Sequence, residues 1–167
     1  MDREEFERCW HANVHGVMAY AQRHVGPDAA ADITSATFLT AWRVWPEVPG
    51  HARAWLLSVA RGHIRNHQRG RRRARSLRGR LELLNLTAAP TADAALTFEQ
   101  RSVALAALAS LPFNQREALL LVAWDGLDTN DAARVLGCSP QALRTRLSRG
   151  RAALDSELTT ADHKRTT

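Results

Sequence analysis

The sequence is poor in cysteine, lysine and aromatic residues, and these shortages exclude several classes of protein. Two cysteines, Cys9 and Cys138, are too few for a disulfide scaffold, and neither lies in a zinc-ribbon pattern. No apolar run approaches the roughly 20 residues that a membrane-spanning helix needs. The first residues, Met-Asp-Arg-Glu-Glu, do not have the pattern of a signal peptide. We therefore expect a cytoplasmic protein without membrane insertion.

Arginine is abundant, and its distribution is uneven. Lys164 is the only lysine among 23 basic residues, and the formal net charge is +6. No acidic residue lies between Glu47 and Glu82, a stretch that carries ten arginines. Because arginine can fork onto phosphate and stack on bases, this distribution favours a nucleic-acid partner.

Helical periodicity runs through most of the chain, and no alternating strand pattern is present. Apolar residues recur at intervals of three and four on both sides of a turn at Gly26-Pro27-Asp28, and Pro46 and Pro49 interrupt the pattern again. The sequence predicts an all-α fold of two small helical domains joined by a flexible basic linker. The predicted limits are 1–70 for the first domain, 71–97 for the linker, 98–158 for the second domain and 159–167 for a disordered tail.

The segment that starts at Asp128 has the pattern of a helix-turn-helix. Asp128 can cap a short helix, with Asp131 in the third position of a capping box. Gly137 suits the turn, Ser139 can cap the next helix, and Pro140 fits its first position. Each of these local signals agrees with the others. An ordinary helical hairpin with a solvated basic face is the alternative.

The second helix of this motif has two distinct faces. Leu143, Leu147, Gly150 and Leu154 are spaced four, three and four apart, so they share an inward face. The polar side chains Gln141, Arg144, Thr145 and Ser148 lie opposite, and Arg149 lies on a flank. This is the layout of a recognition helix, in which side chains read bases and flanking arginines contact phosphates.

With both halves considered, residues 5 to about 157 resemble an extracytoplasmic-function sigma factor. Residues 30–43, AADITSATFLTAWR, are similar to the family segment AEDLxQExFLxAWR. Residues 55–61, WLLSVAR, followed by the arginine run, are similar to its WLxxIARN pattern. Leu111-Pro112-x-x-Gln115-Arg116 and the helix-turn-helix resemble region four.

The resemblance implies a transcription initiation factor without enzymatic activity or cofactor. The first domain would be region two, which docks on the β′ clamp helices of core RNA polymerase and melts the minus-ten element. The second would be region four, which reads the minus-thirty-five element and touches the β flap. Promoter DNA and core polymerase are the implied partners, and an anti-sigma factor is a further one that the resemblance allows.

These roles can be carried over to single residues. The implied polymerase-binding residues are Asp32, Thr37, Phe38, Leu39 and Trp42. The implied DNA-binding residues are Val48, His51, Arg53, Arg61, Arg65, Arg69, Gln141, Arg144, Thr145, Ser148 and Arg149. Arg61, Arg65 and Arg69 step by four along one helix, which makes a stripe suited to a phosphate backbone.

The chain departs from the family pattern at several of the same positions. Ala31, Ser35 and Ala36 replace acidic and amide residues of the clamp-binding helix, and Gly62 stands where the family has Asn. These departures bear on how tightly the chain holds core polymerase by itself.

Other functions are weighed against this one. His11 and His15, like His63 and His67, are spaced by four and could share a metal ion, although neither pair has a metalloprotease pattern. We expect no metal site. A helix-turn-helix regulator that acts without polymerase, or with impaired sigma activity, is the main alternative. Its first domain would need a sensor or dimer surface instead of a melting loop beside basic residues.

Overall fold

The computed structural model of the chain describes residues 3–45, 52–74 and 98–165. All regular elements in these ranges are helical, which confirms the predicted all-α fold. The chain divides into two compact units, Met1–Ala89 and Pro90–Thr167. Of the predicted features, Val48, His51 and most of the linker lie outside the described residues.

The described residues of the first unit form three helices that all contact one another: α1 (Arg3–Val25), α2 (Pro27–Val44) and α3 (Ala52–Ala74). Gly26 joins α1 to α2 with a φ of 81°, a conformation that glycine adopts at little cost, and Pro27 fits the first turn of α2. The core of this bundle is mainly apolar, and it also contains Thr34 and Thr37. Its most deeply buried large side chains are Val17, Tyr20, Phe38, Leu56 and Leu57.

The second unit starts with α4 (Phe98–Ser110) and α5 (Phe113–Leu119). A π-helical turn, Leu120–Trp124, continues α5, and the Asp125 N–H donates to the Leu120 carbonyl at 2.9 Å. Then come α6 (Thr129–Leu136) and α7 (Pro140–Arg165). The sequence predicts ordinary helix through Val122 and Ala123, because a single wider turn leaves no mark on apolar spacing.

The long helix α7 is the element on which α4, α5 and α6 all pack. It extends to Arg165, beyond the residue at which the sequence predicts a disordered tail to begin. No glycine or proline follows Gly150 to end the helix. The Thr159 hydroxyl also donates to the Asp155 carbonyl at 2.8 Å, within the helix.

Candidate DNA and polymerase interfaces

The helix-turn-helix begins at a capped helix. Asp128 Oδ1 accepts from the Asp131 N–H at 2.8 Å, which satisfies one of the free donors at the start of α6. The carboxylate of Asp131 accepts from Arg134 Nη1 within the same helix. The predicted cap by Asp128 is therefore confirmed. The side chain that was expected to complete a capping box at Asp131 instead pairs with the following turn of α6.

The turn between α6 and α7 has the hydrogen bonds of a Schellman motif. The Cys138 N–H donates to the Ala133 carbonyl at 3.0 Å, and the Gly137 N–H donates to the Arg134 carbonyl at 3.1 Å. Gly137 has a φ of 64°, in the left-handed region that favours glycine. Ser139 Oγ then accepts from the Ala142 N–H at 3.1 Å and caps α7. The predicted turn and cap are both present, and they fix the direction in which α7 leaves.

Three of the four residues predicted for the inward face of α7 are buried, and the fourth, Leu154, is half-buried. Leu143 is completely buried and Leu147 nearly so. Gly150 faces α5, where an added Cβ would lie 3.0 Å from Leu119 Cδ1 and 3.4 Å from Gln115 Cβ. Position 150 therefore permits a close approach of α5 and α7, which locks the orientation of α7 in the second unit.

The opposite face of α7 is open to solvent. All five side chains predicted to meet DNA from this helix are exposed, namely Gln141, Arg144, Thr145, Ser148 and Arg149. Arg144 donates to Gln141 Oε1 from Nε at 3.3 Å and from Nη2 at 2.9 Å. Thr145 Oγ1 donates to the Gln141 carbonyl at 3.1 Å. The structure thus brings these groups together at the start of a well-supported helix.

Another arginine in this unit, Arg116, makes contacts between helices. Arg116 Nη1 donates to the Ala109 carbonyl at 2.9 Å, near the C-terminus of α4, where helix carbonyls lack intrahelical partners. Its guanidinium also lies 5.9 Å from the centroid of the Phe113 ring, which is 52% exposed. Burial lowers the pKa of Arg116 from its ordinary value. Arg116 therefore joins α4 to α5, and both of these helices pack on α7.

In the first unit, α2 separates the predicted polymerase-binding residues into two groups. Asp32 is exposed, and Leu39 is 49% exposed, on the outward face of the helix. Thr37 and Phe38 are 0% and 2% exposed, inside the three-helix core. Thr37 Oγ1 donates to the Ile33 carbonyl at 2.7 Å. The prediction that these two side chains contact a partner is therefore corrected, because they pack within the bundle and hold α2 in place.

Trp42 belongs to an aromatic cluster between α1 and α2. Its ring centroid lies 4.8 Å from that of Phe6, in an edge-to-face arrangement with an interplanar angle of 79°. The ring centroid of Trp45 lies 5.5 Å from that of the same phenylalanine, and the ring centroids of Trp10 and Phe38 are 4.4 Å apart. Such pairs stabilise a core beyond their buried area. Trp42 is half-buried, so only part of its ring is available to a partner.

The predicted DNA-binding arginines of α3 differ in exposure. Arg65 and Arg69 are exposed, whereas Arg61 is half-buried and already interacts within the chain. Arg53 lies across α1, with Nη2 3.2 Å from the point that a Cβ on Gly16 would occupy. The sequence contained no signal for that contact, because Gly16 lies inside an uninterrupted helical pattern.

The histidine pairs lie on helices of the first unit. His63 Nε2 lies 3.2 Å from the hydroxyl of Thr40, on the neighbouring helix. Among the described residues, no group of three or more His, Cys, Asp or Glu side chains is placed to hold a metal ion. In the same ranges, no helix combines the length and apolar character that a bilayer crossing requires.

Comparison with known proteins places both units in one family. A model described as Sigma-70 region 2 matches residues 9–74, and one described as Sigma-70, region 4 matches residues 101–154. The ECF RNA polymerase sigma factor SigC of Mycobacterium tuberculosis is 37% identical over 155 residues, which cover 90% of this chain and 80% of that protein. The chain belongs to the extracytoplasmic-function sigma factors.

Two further similarities define the extent of this relationship. The probable RNA polymerase sigma factor RfaY of Xanthomonas campestris is 35% identical over 139 residues, which cover 78% of this chain but 34% of that protein. The crystallised complex of the sigma factor RpoE with the anti-sigma factor NepR from Bartonella quintana contains a chain with the same fold. The TM-score is 0.70 at 24% identity, and the match covers 93% of this chain and 98% of that one.

The family membership settles the class of activity. A sigma factor binds core RNA polymerase and directs it to promoters, and sigma factors are initiation factors, not enzymes. The resemblance read from the sequence is therefore confirmed. A regulator that acts without polymerase is not favoured, because this sigma factor has region 2 as well as the helix-turn-helix of region 4.

Proposed function

We propose that promoter reading and polymerase binding are divided between two exposed helical faces, one on each unit. The outward face of α7 reads the minus-thirty-five element, and the outward face of α2 binds core polymerase. The observation that carries this proposal is the structure of the helix-turn-helix. Its caps, its left-handed Gly137 and its buried Leu143 fix the recognition helix, while Gln141 and Arg144 remain exposed.

The chemistry of the α7 face supports its assignment to DNA. Gln141 and Arg144 carry N–H donors at the N-terminal end of the helix, where recognition helices approach base edges. Arg149 is exposed on a flank, where a guanidinium is suited to phosphate. Thr145 and Ser148 add hydroxyl groups to the same face. We assign the first two residues to base contacts and Arg149 to positioning.

The α2 face is suited to a protein partner. Leu39 exposes about half of an apolar side chain on the same helix face as the exposed carboxylate of Asp32, about two turns away. A small apolar centre with a charged neighbour is typical of a protein interface. Ser35 and Ala31 are exposed on the same face, and their short side chains leave Asp32 and Leu39 as the prominent groups. We assign polymerase binding to these two residues. Trp42, which is half-buried on the same helix, contributes to the same surface.

The minus-ten element is assigned to the first unit. Arg65 and Arg69 are exposed along α3, and α3 follows directly after the segment that contains Val48 and His51. A line of guanidinium groups can follow a phosphate backbone. The proposed domain limits remain 1–70 and 98–158, joined by residues 71–97. An anti-sigma factor, such as the one bound to RpoE of Bartonella quintana, would act by covering one of these faces. We place the activity of the chain in the cytoplasm.

Reconstitution with core RNA polymerase tests the proposal. The purified chain is added to core enzyme, and run-off transcription is measured from a library of genomic promoter fragments. We expect transcripts from a defined subset of fragments that depends on the chain, and loss of that subset in variants of either face. Specific DNA binding that is unaffected by core enzyme, with no transcript, would instead indicate a regulator that acts without polymerase.

A further inference from the structure

Gln141 and Arg144 are joined by two hydrogen bonds on the exposed face of α7. Both run from the guanidinium to the same amide oxygen, Gln141 Oε1, at 3.3 Å from Nε and 2.9 Å from Nη2. Residues three apart on a helix are neighbours, so this pairing follows from their spacing. Because a guanidinium has no acceptor atom, the amide atom that faces it must be the oxygen.

This pairing changes what the two side chains can offer to DNA. Gln141 Oε1 accepts both hydrogen bonds from Arg144, so the only acceptor of the two side-chain groups is engaged within the pair. The amide NH2 of Gln141 and the unused N–H groups of Arg144 are the polar groups that remain. The two side chains therefore offer donors alone to a base edge.

We propose that Gln141 and Arg144 act as one donor-only reading unit that selects guanine and rejects adenine. In the major groove guanine offers two acceptors, O6 and N7, whereas adenine offers N7 beside the N6 donor. An unpaired glutamine recognises adenine because its oxygen accepts from N6. Here that oxygen is occupied. The proposal rests on the proposed role of α7 in reading the minus-thirty-five element.

The neighbouring side chains do not replace the lost acceptor at this position. Thr145 Oγ1 donates to the Gln141 backbone carbonyl, which turns its hydroxyl towards the helix. Ser148 is exposed two turns further along α7 from Gln141, so it meets a different part of the groove. The guanine preference therefore depends on the Gln141–Arg144 pair itself.

The test uses holoenzyme assembled from the full chain and core polymerase, with promoters in which the minus-thirty-five element is randomised. Bound DNA is sequenced for the wild type, Arg144→Ala and Gln141→Ala. We expect the wild type to select guanine at one or two positions. Arg144→Ala should reduce that enrichment by about 5- to 150-fold and introduce adenine, because Gln141 Oε1 is freed. Gln141→Ala should keep guanine without gaining adenine.

Arg134→Ala is the matched control, because Arg134 also bonds a side chain three residues earlier but lies on α6. Its selected sequences should equal those of the wild type. Loss of guanine without a gain of adenine in Arg144→Ala, or adenine selected by the wild type at the affected positions, would overturn the proposal while leaving α7 as the reading helix. Identical profiles for all variants would instead overturn the role of α7, and the reading unit with it.

Discussion

The guanidinium of Arg53 lies against the backbone of Gly16, across the boundary between α3 and α1. Its Nη2, Cζ and Nη1 atoms would stand 3.2, 3.4 and 3.6 Å from a Cβ at position 16. The first turn of α3 is thereby held against α1 at position 16, where glycine leaves room for the guanidinium. Arg53 is nevertheless exposed, and its expected contact with DNA stays a prediction.

We predict that Gly16→Ala and Gly62→Ala have different effects on stability. Both glycines lie inside helices, so each substitution should gain about 0.5–1 kcal/mol of helix propensity. No atom lies within 4 Å of a Cβ at Gly62, whereas a Cβ at Gly16 meets Arg53. Gly62→Ala should therefore raise the free energy of unfolding more than Gly16→Ala. Tryptophan fluorescence during urea unfolding reports this, since four of the five tryptophans lie in the first unit.

The Arg53→Ala background is the control for this pair. Without the guanidinium, Gly16→Ala should gain as much stability as Gly62→Ala does. Equal gains by the two alanines in the wild-type background would show that the Arg53 contact exerts no constraint on position 16.

A second prediction concerns the contact between Gly150 on α7 and Leu119 on α5. An added Cβ would lie 3.0 Å from Leu119 Cδ1 and 3.3 Å from Cγ, and Leu119 is buried. Gly150→Ala should lower the stability of the second unit by about 1–2 kcal/mol, because overpacking outweighs the gain in helix propensity. Hydrogen exchange of the α5 and α7 amides, measured by mass spectrometry, would report the loss.

Leu119→Ala makes space for the new methyl group and provides the matched test. The double variant should be more stable than the sum of the single effects predicts, by about 1 kcal/mol. Strict additivity would mean that the two positions do not press on each other.

Local signals account for what could be predicted in the helix-turn-helix. Asp128, Gly137 and Ser139 each act through hydrogen bonds to residues within five positions, so their residue types alone indicate the geometry. Two other local features could not be predicted in this way. The π-helical turn at Leu120–Trp124 replaces an ordinary α-helical turn, and the bond between Asp131 and Arg134 replaces a capping box. In both cases the residue types are compatible with either arrangement.

Packing between helices determines the features that the sequence did not predict, above all which residues of α2 are buried. Thr37 and Phe38 belong to the family motif, and a motif does not distinguish residues that touch a partner from residues that hold the helix in place. Their burial depends on how α1 and α3 pack against α2. The sequence of α2 alone carries no information about that packing. The same applies to Arg53 on Gly16, because the contact joins residues far apart in the chain.

A third prediction concerns the exposed face of α2. Asp32→Arg should abolish co-purification with core polymerase, and Leu39→Ala should weaken it at least tenfold, about 1.4 kcal/mol. Both side chains are exposed, so neither change should reduce the helical content seen by circular dichroism. Asp155→Arg makes the same charge change at an exposed position of the second unit and should leave binding intact. Unchanged binding of Asp32→Arg would remove α2 as the polymerase site.

The last prediction concerns the arginines of α3 and the salt dependence of promoter opening. Each phosphate contact contributes about one unit to the slope of log affinity against log salt concentration, because counterions are released on binding. Arg65→Ala with Arg69→Ala should therefore reduce the slope for open-complex formation by about two units. Adding Arg61→Ala should change it less, since Arg61 is half-buried and already interacts within the chain. The matched control removes Arg3 and Arg8, which are exposed on α1 of the same unit. It alters net charge equally without touching α3, so its slope should stay near that of the wild type. If both double variants gave the same slope, net charge would explain the effect and the α3 stripe would not follow the DNA backbone.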